Sequence, residues 1–418
     1  MKKLLLVLAI IVCMLAGSCA LAEPVVFQDE ASLTGYSVTF TFDDPDAALV
    51  QLYGEWAWID AEDASIKYTD AEWNPTVRNF GGTTYDMVKG EDGLWTVTVP
   101  LPNGLFGYRF LVSDGTSEKP ANSWDPTNLP INVQTLNGEE MLAGEGNDYY
   151  LSTVYVPFDA EKQTTDLTIQ APRTDEYKGT LEFIKLEESL YPFTVYLPYN
   201  FDVNREEPYK LYILYHGGGG FYANWVNNGG CQNIVDNLIA EGRFGTDTVI
   251  LMPQLSFSVE GSKYNYFENG WSQEAQWKAN MHDTACIREA VLPYMYEHYN
   301  VSEAAEDHAI GGLSGGAVFT SAAAVELDDL FGYYHWMSGC VFSNNVTLNQ
   351  VVRMEKEGKK FYFSCNPIDM CYGEIETNVN DLTAMGYDHM GYTDLGTGHC
   401  WHSWRLHLAN YLENILWK

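Results

Sequence analysis

Asp307–Thr320 reads DHAIGGLSGGAVFT and sets Ser314 among glycines, where an apolar run gives way to a run of small residues. Gly312 and Gly316 stand two positions either side of the serine, and Gly315 follows it directly. Glycines end strands and open helices in any α/β protein, so G-x-S-x-G is common by chance. Its sharper reading is a nucleophile elbow, a serine on a strained strand-to-helix turn whose neighbours lack side chains so that the backbone can close. Such a serine needs partners elsewhere in the chain.

Outward from the elbow, strands alternate with helices. KLYILYH (Lys210–His216), TVILMPQ (Thr248–Gln254), YYHWMSG (Tyr333–Gly339) and KKFYFSC (Lys359–Cys365) read as buried strands, with LEFIKL and PFTVYLP leading in. IVDNLIAEG (Ile234–Gly242), ACIREAVLPYMYEHY (Ala285–Tyr299) and the closing WHSWRLHLANYLENIL (Trp401–Leu416) read as helices. Uninterrupted apolar strands joined by helices imply a mainly parallel sheet covered on both faces. Sites in such sheets lie beyond the carboxyl ends of the strands.

A serine hydroxyl becomes a nucleophile when a histidine, itself oriented by a carboxylate, takes its proton. On this kind of sheet the three follow in the order serine, acid, histidine. FYFSCNPID puts Asp369 just past a strand end, and LGTGHCWHSWR puts His399 immediately before the last helix. His402 falls in the first turn of that helix, Asp394 follows no strand, and Asp381 lies in a helical stretch, so each ranks below Asp369 or His399. The oxyanion of a tetrahedral intermediate needs backbone donors. Gly315 supplies one, and the HGGGG run His216–Gly220 supplies the other through Gly217 and Gly218. That run lacks the Gly-Lys-Ser/Thr ending of a phosphate loop. His216 precedes the serine by half a sheet and is read as orienting the loop.

The segments YHGGGGFYANW, IVDNLIAEG, AIGGLSGG, SCNPID and GTGHCWHSWR stand in the order seen in the esterase family that includes esterase D and carbohydrate esterase family 1. The chain resembles that family over roughly residues 191–412, and is similar to secreted feruloyl esterases that carry a glycogen-binding-like module. The resemblance implies an α/β hydrolase domain with Ser314 as nucleophile, Asp369 as acid and His399 as base, and no cofactor or metal. It implies a secreted serine carboxylesterase that removes feruloyl groups from plant cell-wall polysaccharide such as feruloylated arabinoxylan. An acetylxylan esterase and a trilactone siderophore esterase use the same machinery. A glycan-binding protein with an inactive hydrolase-like half is a fourth reading, against which the complete serine, acid and histidine set argues. Gly315 departs from the family's usual methionine and is expected to open space near the acyl group, while Asn366 and Pro367 replace Gly-Thr before the acid. Tyr222, Trp225, Trp271, Trp336, Tyr372 and Trp401 are candidate walls of an aromatic acyl pocket, two or three of which are expected to touch substrate.

Between about Tyr36 and Pro157 the grammar is different. YSVTFTF, ALVQLYG, LWTVTVPL and GYRFLVSD are short alternating strands parted by Gly, Pro, Asn and Asp, which predicts an all-β sandwich. LYGEWAW, GLWTVTVPLPNGLFGYRFLVSDG and DPTN resemble the early-set, immunoglobulin-like sandwich of glycogen-binding-like carbohydrate-binding modules over roughly residues 37–128. Trp56, Trp58, Trp73, Trp95 and Trp124 are candidate sugar platforms, with Trp95 and Tyr108 read as core. The expected organisation is a leader at 1–22, the sandwich at 23–158, a polar linker at 159–179 and the esterase domain at 180–418.

The start MKKLLLVLAIIVCMLAGSCALAEP reads as a secretory signal cleaved after Ala22, with lipidation at Cys19 as the minor alternative. No later apolar run is long enough to span a bilayer. A net charge of −34 argues against nucleic acid and anionic membranes as partners and suits an uncharged ester. Cys231, Cys286, Cys340, Cys365, Cys371 and Cys400 show no zinc spacing. Because the loops of Asp369 and His399 must meet, a Cys371–Cys400 disulfide is expected in the exported protein.

Overall fold

The computed structural model describes residues 23–59, 67–69, 77–78, 81–131, 151–186, 192–259, 261–339, 348–386, 390–391 and 398–418. The leader with Cys19, and also Trp73, Cys340 and Asp394, fall outside these residues.

From Thr180 the chain builds one eight-stranded sheet. Its strands are β1 (Thr180–Lys185), β2 (Pro192–Leu197), β3 (Lys210–Tyr215), β4 (Thr248–Pro253), β5 (His308–Leu313), β6 (Tyr333–Met337), β7 (Lys360–Ser364) and β8 (Met390–Gly391). Across the sheet they lie in the order 1-2-4-3-5-6-7-8. The β1–β2 and β2–β4 pairings are antiparallel, and every pairing from β4 onward is parallel. The carboxyl ends of β3, β5, β6 and β7 therefore share one edge. Apolar residues line both faces because both are covered. On β3, Leu211, Ile213 and Tyr215 enter one core with Ala279, Leu292 and Phe319. Tyr212 and Leu214 enter the other, with Ile234 and Leu238 of helix Cys231–Ala240 and Leu408 of helix Trp401–Asn414. This is the mainly parallel, doubly covered sheet expected from the strand pattern, and the α/β hydrolase-like architecture that the resemblance implies.

The N-terminal region is all-β. A four-stranded antiparallel sheet (25–28, 36–43, 94–100, 88–89) faces a five-stranded one (121–123, 104–113, 49–54, 83–86, with 152–156 also on 104–113). Alternate residues interleave between them, Phe40 against Tyr108 at 4.8 Å and Phe42 against Phe110 at 4.6 Å between ring centres. Trp56, Trp58 and Trp95 are buried in this core, which removes them as sugar platforms. Tyr108, also core, donates to Asp125 of the DPTN run at 2.6 Å.

The polar stretch 159–179 is a strap fastened to both regions. Gln163 accepts the Asn103 amide at 2.9 Å and donates to Thr34 at 2.7 Å. Gln170 accepts from Leu105 on one side, and its carbonyl receives Asn233 on the other. Asn237 donates to the carbonyls of Ile169 and Ala171. No helix among the described residues is long and apolar enough to cross a membrane.

Candidate active site

Ser314 follows β5 directly and opens helix Gly315–Glu326 with φ 49° and ψ −113°, a conformation that costs a non-glycine residue energy. The turn is held by the Ser314 amide, which donates to the Met337 carbonyl at 2.9 Å. It closes because its flanks lack side chains: a Cβ on Gly312 would stand 2.8 Å from both Gly316 and Tyr215. This is the geometry that the G-x-S-x-G spacing predicts.

The loop after β3 comes to meet it. A Cβ on Gly217 would lie 3.1 Å from the Ser314 Cβ, and one on Gly315 would lie 3.0 Å from the Gly218 nitrogen. His216, 1 % exposed, fixes this loop. Its Nε2 accepts the Leu255 amide at 3.2 Å, so its proton resides on Nδ1 and is donated to the Gly217 carbonyl at 2.8 Å. Burial pushes the His216 pKa down to about 4, which keeps the ring neutral and this arrangement intact near pH 7. With the Gly217 carbonyl fixed, the Gly218 N–H of the same trans peptide is fixed in the opposite direction.

Gly315 does not open space as expected. A Cβ there would stand 2.9 Å from the ring of Phe257, which is 1 % exposed and fills the place of the missing side chain. Phe257 stacks on Tyr266, and Phe267 sits over Gly218.

Asp369 and His399 are 5 % and 7 % exposed. The imidazole Nδ1 donates to Asp369 Oδ1 at 3.1 Å, with Oδ2 at 3.3 Å. Asp369 also accepts the Cys371 amide at 2.8 Å. Burial alone would raise this carboxyl's pKa, but the His399 hydrogen bond and charge together with the Cys371 amide hold it below the ordinary value. It is therefore an ionised acceptor near neutral pH, and His399 keeps its Nε2 lone pair for another partner. Asp369, Cys371 and His399 hold donor atoms within 4.8 Å of one another. The carboxylate and Nδ1 that would ligate a metal are already engaged with each other. Cys371 and Cys400 are both free thiols, which overturns the expected disulfide; the Cys400 sulfur instead lies 3.9 Å from the Ser403 hydroxyl.

Ser314, His399, Gly217 and Gly218 line one cavity of about 320 Å³, and its opposite wall is the β region. Tyr53, Glu55, Leu105, Arg109 and Leu151 cross the seam to complete it. The seam is fastened by Arg405 of the last helix, which donates to the carbonyls of Asn228 and Leu105. It is fastened again by Asn227, which donates to the Leu151 carbonyl at 2.6 Å. None of these sandwich-side residues is legible as a site residue in the sequence, because only the packing of the two regions brings them there.

Among the aromatic candidates, Trp401 lines the cavity. Trp336 is fully buried, stacked among Tyr334, Phe361 and Phe363, so it is core. Tyr222 and Trp225 are likewise core, Trp225 donating to the Tyr215 carbonyl. Trp271 is 63 % exposed and outside the cavity lining. Tyr372, half-buried, donates to Glu376. His402 and Trp404, from the same helix as Trp401, also line the cavity, and Asp381 is exposed.

Residues 187–364 match the family described as Putative esterase. The endo-1,4-beta-xylanase/feruloyl esterase of Xylanibacter ruminicola is 23 % identical over 344 residues, 80 % of this chain. The chain spans 41 % of that relative's length. The enterobactin esterase FES from Shigella flexneri superposes with a TM-score of 0.52 at 16 % identity, covering 94 % of this chain and 95 % of that one. The feruloyl esterase module from Clostridium thermocellum, solved with sinapinate, gives 0.48 at 18 % identity, covering 60 % of this chain and 92 % of the module. The likeness to an esterase family thus covers residues 187–364, which hold β2 to β7 and the Ser314 turn.

Proposed function

We propose that the protein is a secreted serine esterase that releases hydroxycinnamoyl groups, feruloyl above all, from plant cell-wall polysaccharide such as feruloylated arabinoxylan. The observation that carries this reading is the convergence of a strained serine, an Asp369-oriented histidine and a glycine loop on one cavity. Ser314 attacks the ester carbonyl while His399 Nε2 takes its proton. The amides of Gly315 and Gly218 receive the oxyanion, with His216 holding the Gly217–Gly218 peptide in place. His399 then protonates the departing alcohol, and a water activated by the same nitrogen frees the acyl group. The role of Asp369 is to fix the tautomer and stabilise the imidazolium.

The organisation that goes with this reading is a leader ending at Ala22, an early-set immunoglobulin-like sandwich at 23–158, the strap at 159–179 and the esterase domain at 180–418. The family match and the xylanase-linked relative favour a cell-wall ester. A siderophore ester is the second reading, favoured by a fold shared with the enterobactin esterase across both regions. Turnover of methyl ferulate, acetylated xylan and a catecholate trilactone by one preparation tests them. Preference for methyl ferulate is expected, and hydrolysis of the trilactone alone would overturn the proposal.

A further inference from the structure

The cavity wall supplied by the β region holds a carboxyl that the esterase mechanism above does not use. Glu55 leaves the end of the strand Leu49–Gly54, its amide donating to the Gly107 carbonyl at 2.8 Å. Room for its side chain is made by that same glycine: a Cβ on Gly107 would stand 2.9 Å from Glu55 Oε2 and 2.7 Å from Leu151. Among the described residues the carboxyl has one side-chain hydrogen-bond partner, Asn228, at a long 3.3 Å. Part of Glu55 is accessible, but that part opens into the cavity, where Leu105, Leu151 and Leu313 keep the surroundings apolar.

A carboxyl in such a place is costly unless something satisfies it. Burial accordingly pushes its pKa up to about 7, against the Asn228 hydrogen bond and the charges of Arg405 and Arg109. These are also the two buried arginines of the described residues. Arg405 is engaged with two main-chain carbonyls, and Arg109 lies over the Tyr53 ring at 4.3 Å. A cationic ligand group would be repelled by both guanidiniums, and an anionic one would meet Glu55 itself. A neutral hydroxyl, which can donate to the carboxyl and accept from an arginine, suits the whole set.

We infer that Glu55 is a specificity residue whose carboxyl receives a hydroxyl of the bound ester, so that the β region selects the substrate as well as walling the site. This rests on the esterase reading above. The hydroxyl has two possible sources, the phenol of the acyl group or a sugar hydroxyl of the alcohol. Kinetics of the full chain and its Glu55→Leu and Glu55→Gln variants separate them, using methyl ferulate, methyl 3,4-dimethoxycinnamate and feruloyl-arabinose, with thermal melts alongside.

Glu55→Leu is expected to lose roughly 10- to 100-fold in kcat/KM only on esters that carry the recognised hydroxyl, the range for one buried hydrogen bond. Glu55→Gln, which can still pair with a hydroxyl, is expected to keep most of the discrimination. Loss on methyl ferulate and feruloyl-arabinose but not on the dimethoxy ester assigns the phenol. Loss on feruloyl-arabinose alone assigns the sugar. An equal loss on all three esters, or none on any, overturns the role of Glu55 and leaves the esterase reading standing. A wild-type chain that cleaves a simple acetate but none of the three overturns the feruloyl reading, and this inference with it.

Discussion

The ring of Phe257 occupies the space that a side chain at position 315 would fill, 2.9 Å from where the Gly315 Cβ would stand. The two positions are thus one packing unit beside the Gly218 amide. A methionine at 315, the usual residue in the resembled family, would have to displace Phe257 or the Gly217–Gly218 loop. Gly315→Met alone is expected to lower kcat roughly 100-fold, the scale of losing one oxyanion donor. Phe257→Ala removes a buried ring and should destabilise the fold by about 3–5 kcal/mol. The double variant should recover much of both losses, because the methionine fills the vacated volume. Non-additivity in kcat and in melting temperature is the measurement, and strictly additive losses would refute the shared site.

Removing Ser314 or His399 should remove nearly all turnover. Members of such a unit cost up to about a million-fold singly, with the acid somewhat less, so Asp369→Asn is expected to fall slightly short of the other two. Ester hydrolysis rates on variants with unchanged circular dichroism test this. Near-wild-type activity in Ser314→Ala would sink the assignment.

The strand-end placement of Ser314, Asp369 and His399 was legible because each sits at a change of local pattern: glycines after an apolar strand, a carboxylate just past one, a histidine just before a helix. The cavity's other half was not. Tyr53, Glu55 and Arg109 belong to a strand grammar that looks the same whether it faces solvent or a neighbouring region. Trp401 reaches the cavity, whereas other aromatic candidates do not, for a related reason. Trp336 is near the elbow in sequence and Trp225 near the glycine loop, but alternate strand residues and helix faces turn them into the two cores. The Cys371–Cys400 expectation used the correct premise that the two loops meet, but loop proximity does not fix where each sulfur points.

Stability should fall as pH rises through neutrality. Burial pushes the Asp283 carboxyl up to about 8, even though the Ser256 amide and hydroxyl donate to it. Asp236 and Glu55 are raised in the same sense, to about 6 and about 7. A group whose folded pKa lies above its unfolded value binds more protons when folded, so its contribution weakens as pH climbs from about 4 to the folded value. Asp369, held low, works in the opposite direction and only at acid pH. Asp283→Asn retains an acceptor for the Ser256 amide but has no proton to lose. Its melting temperature should therefore decline less than the wild type's between pH 5 and pH 8.5, a relative gain on the order of a few kcal/mol. Parallel pH profiles for the two proteins would exclude Asp283 as the cause.

A fragment beginning at Lys178 tests whether the β region is a detachable accessory. The sequence alone suggests that such a fragment keeps activity on small soluble esters and loses it mainly on polymer. The structure points to a larger effect. Arg405, four residues from Trp401 on the last helix, would lose the Leu105 carbonyl while its buried charge remained. That charge is already disfavoured, with burial drawing the Arg405 pKa down to about 10. Asn227 would lose the Leu151 carbonyl, and Asn233 and Asn237 would lose partners on the truncated strap. The His399 loop leads directly into this helix, so loosening it should disturb the Asp369–His399 pair as well as open the cavity. The fragment is expected to hydrolyse methyl ferulate with a raised KM and a kcat lowered by roughly 10-fold or more, since small displacements of catalytic groups are costly. Arg405→Met in the full chain separates the two effects, as it frees the seam but keeps the wall. If the fragment matches the intact chain on methyl ferulate, the β region contributes nothing to the site for small esters.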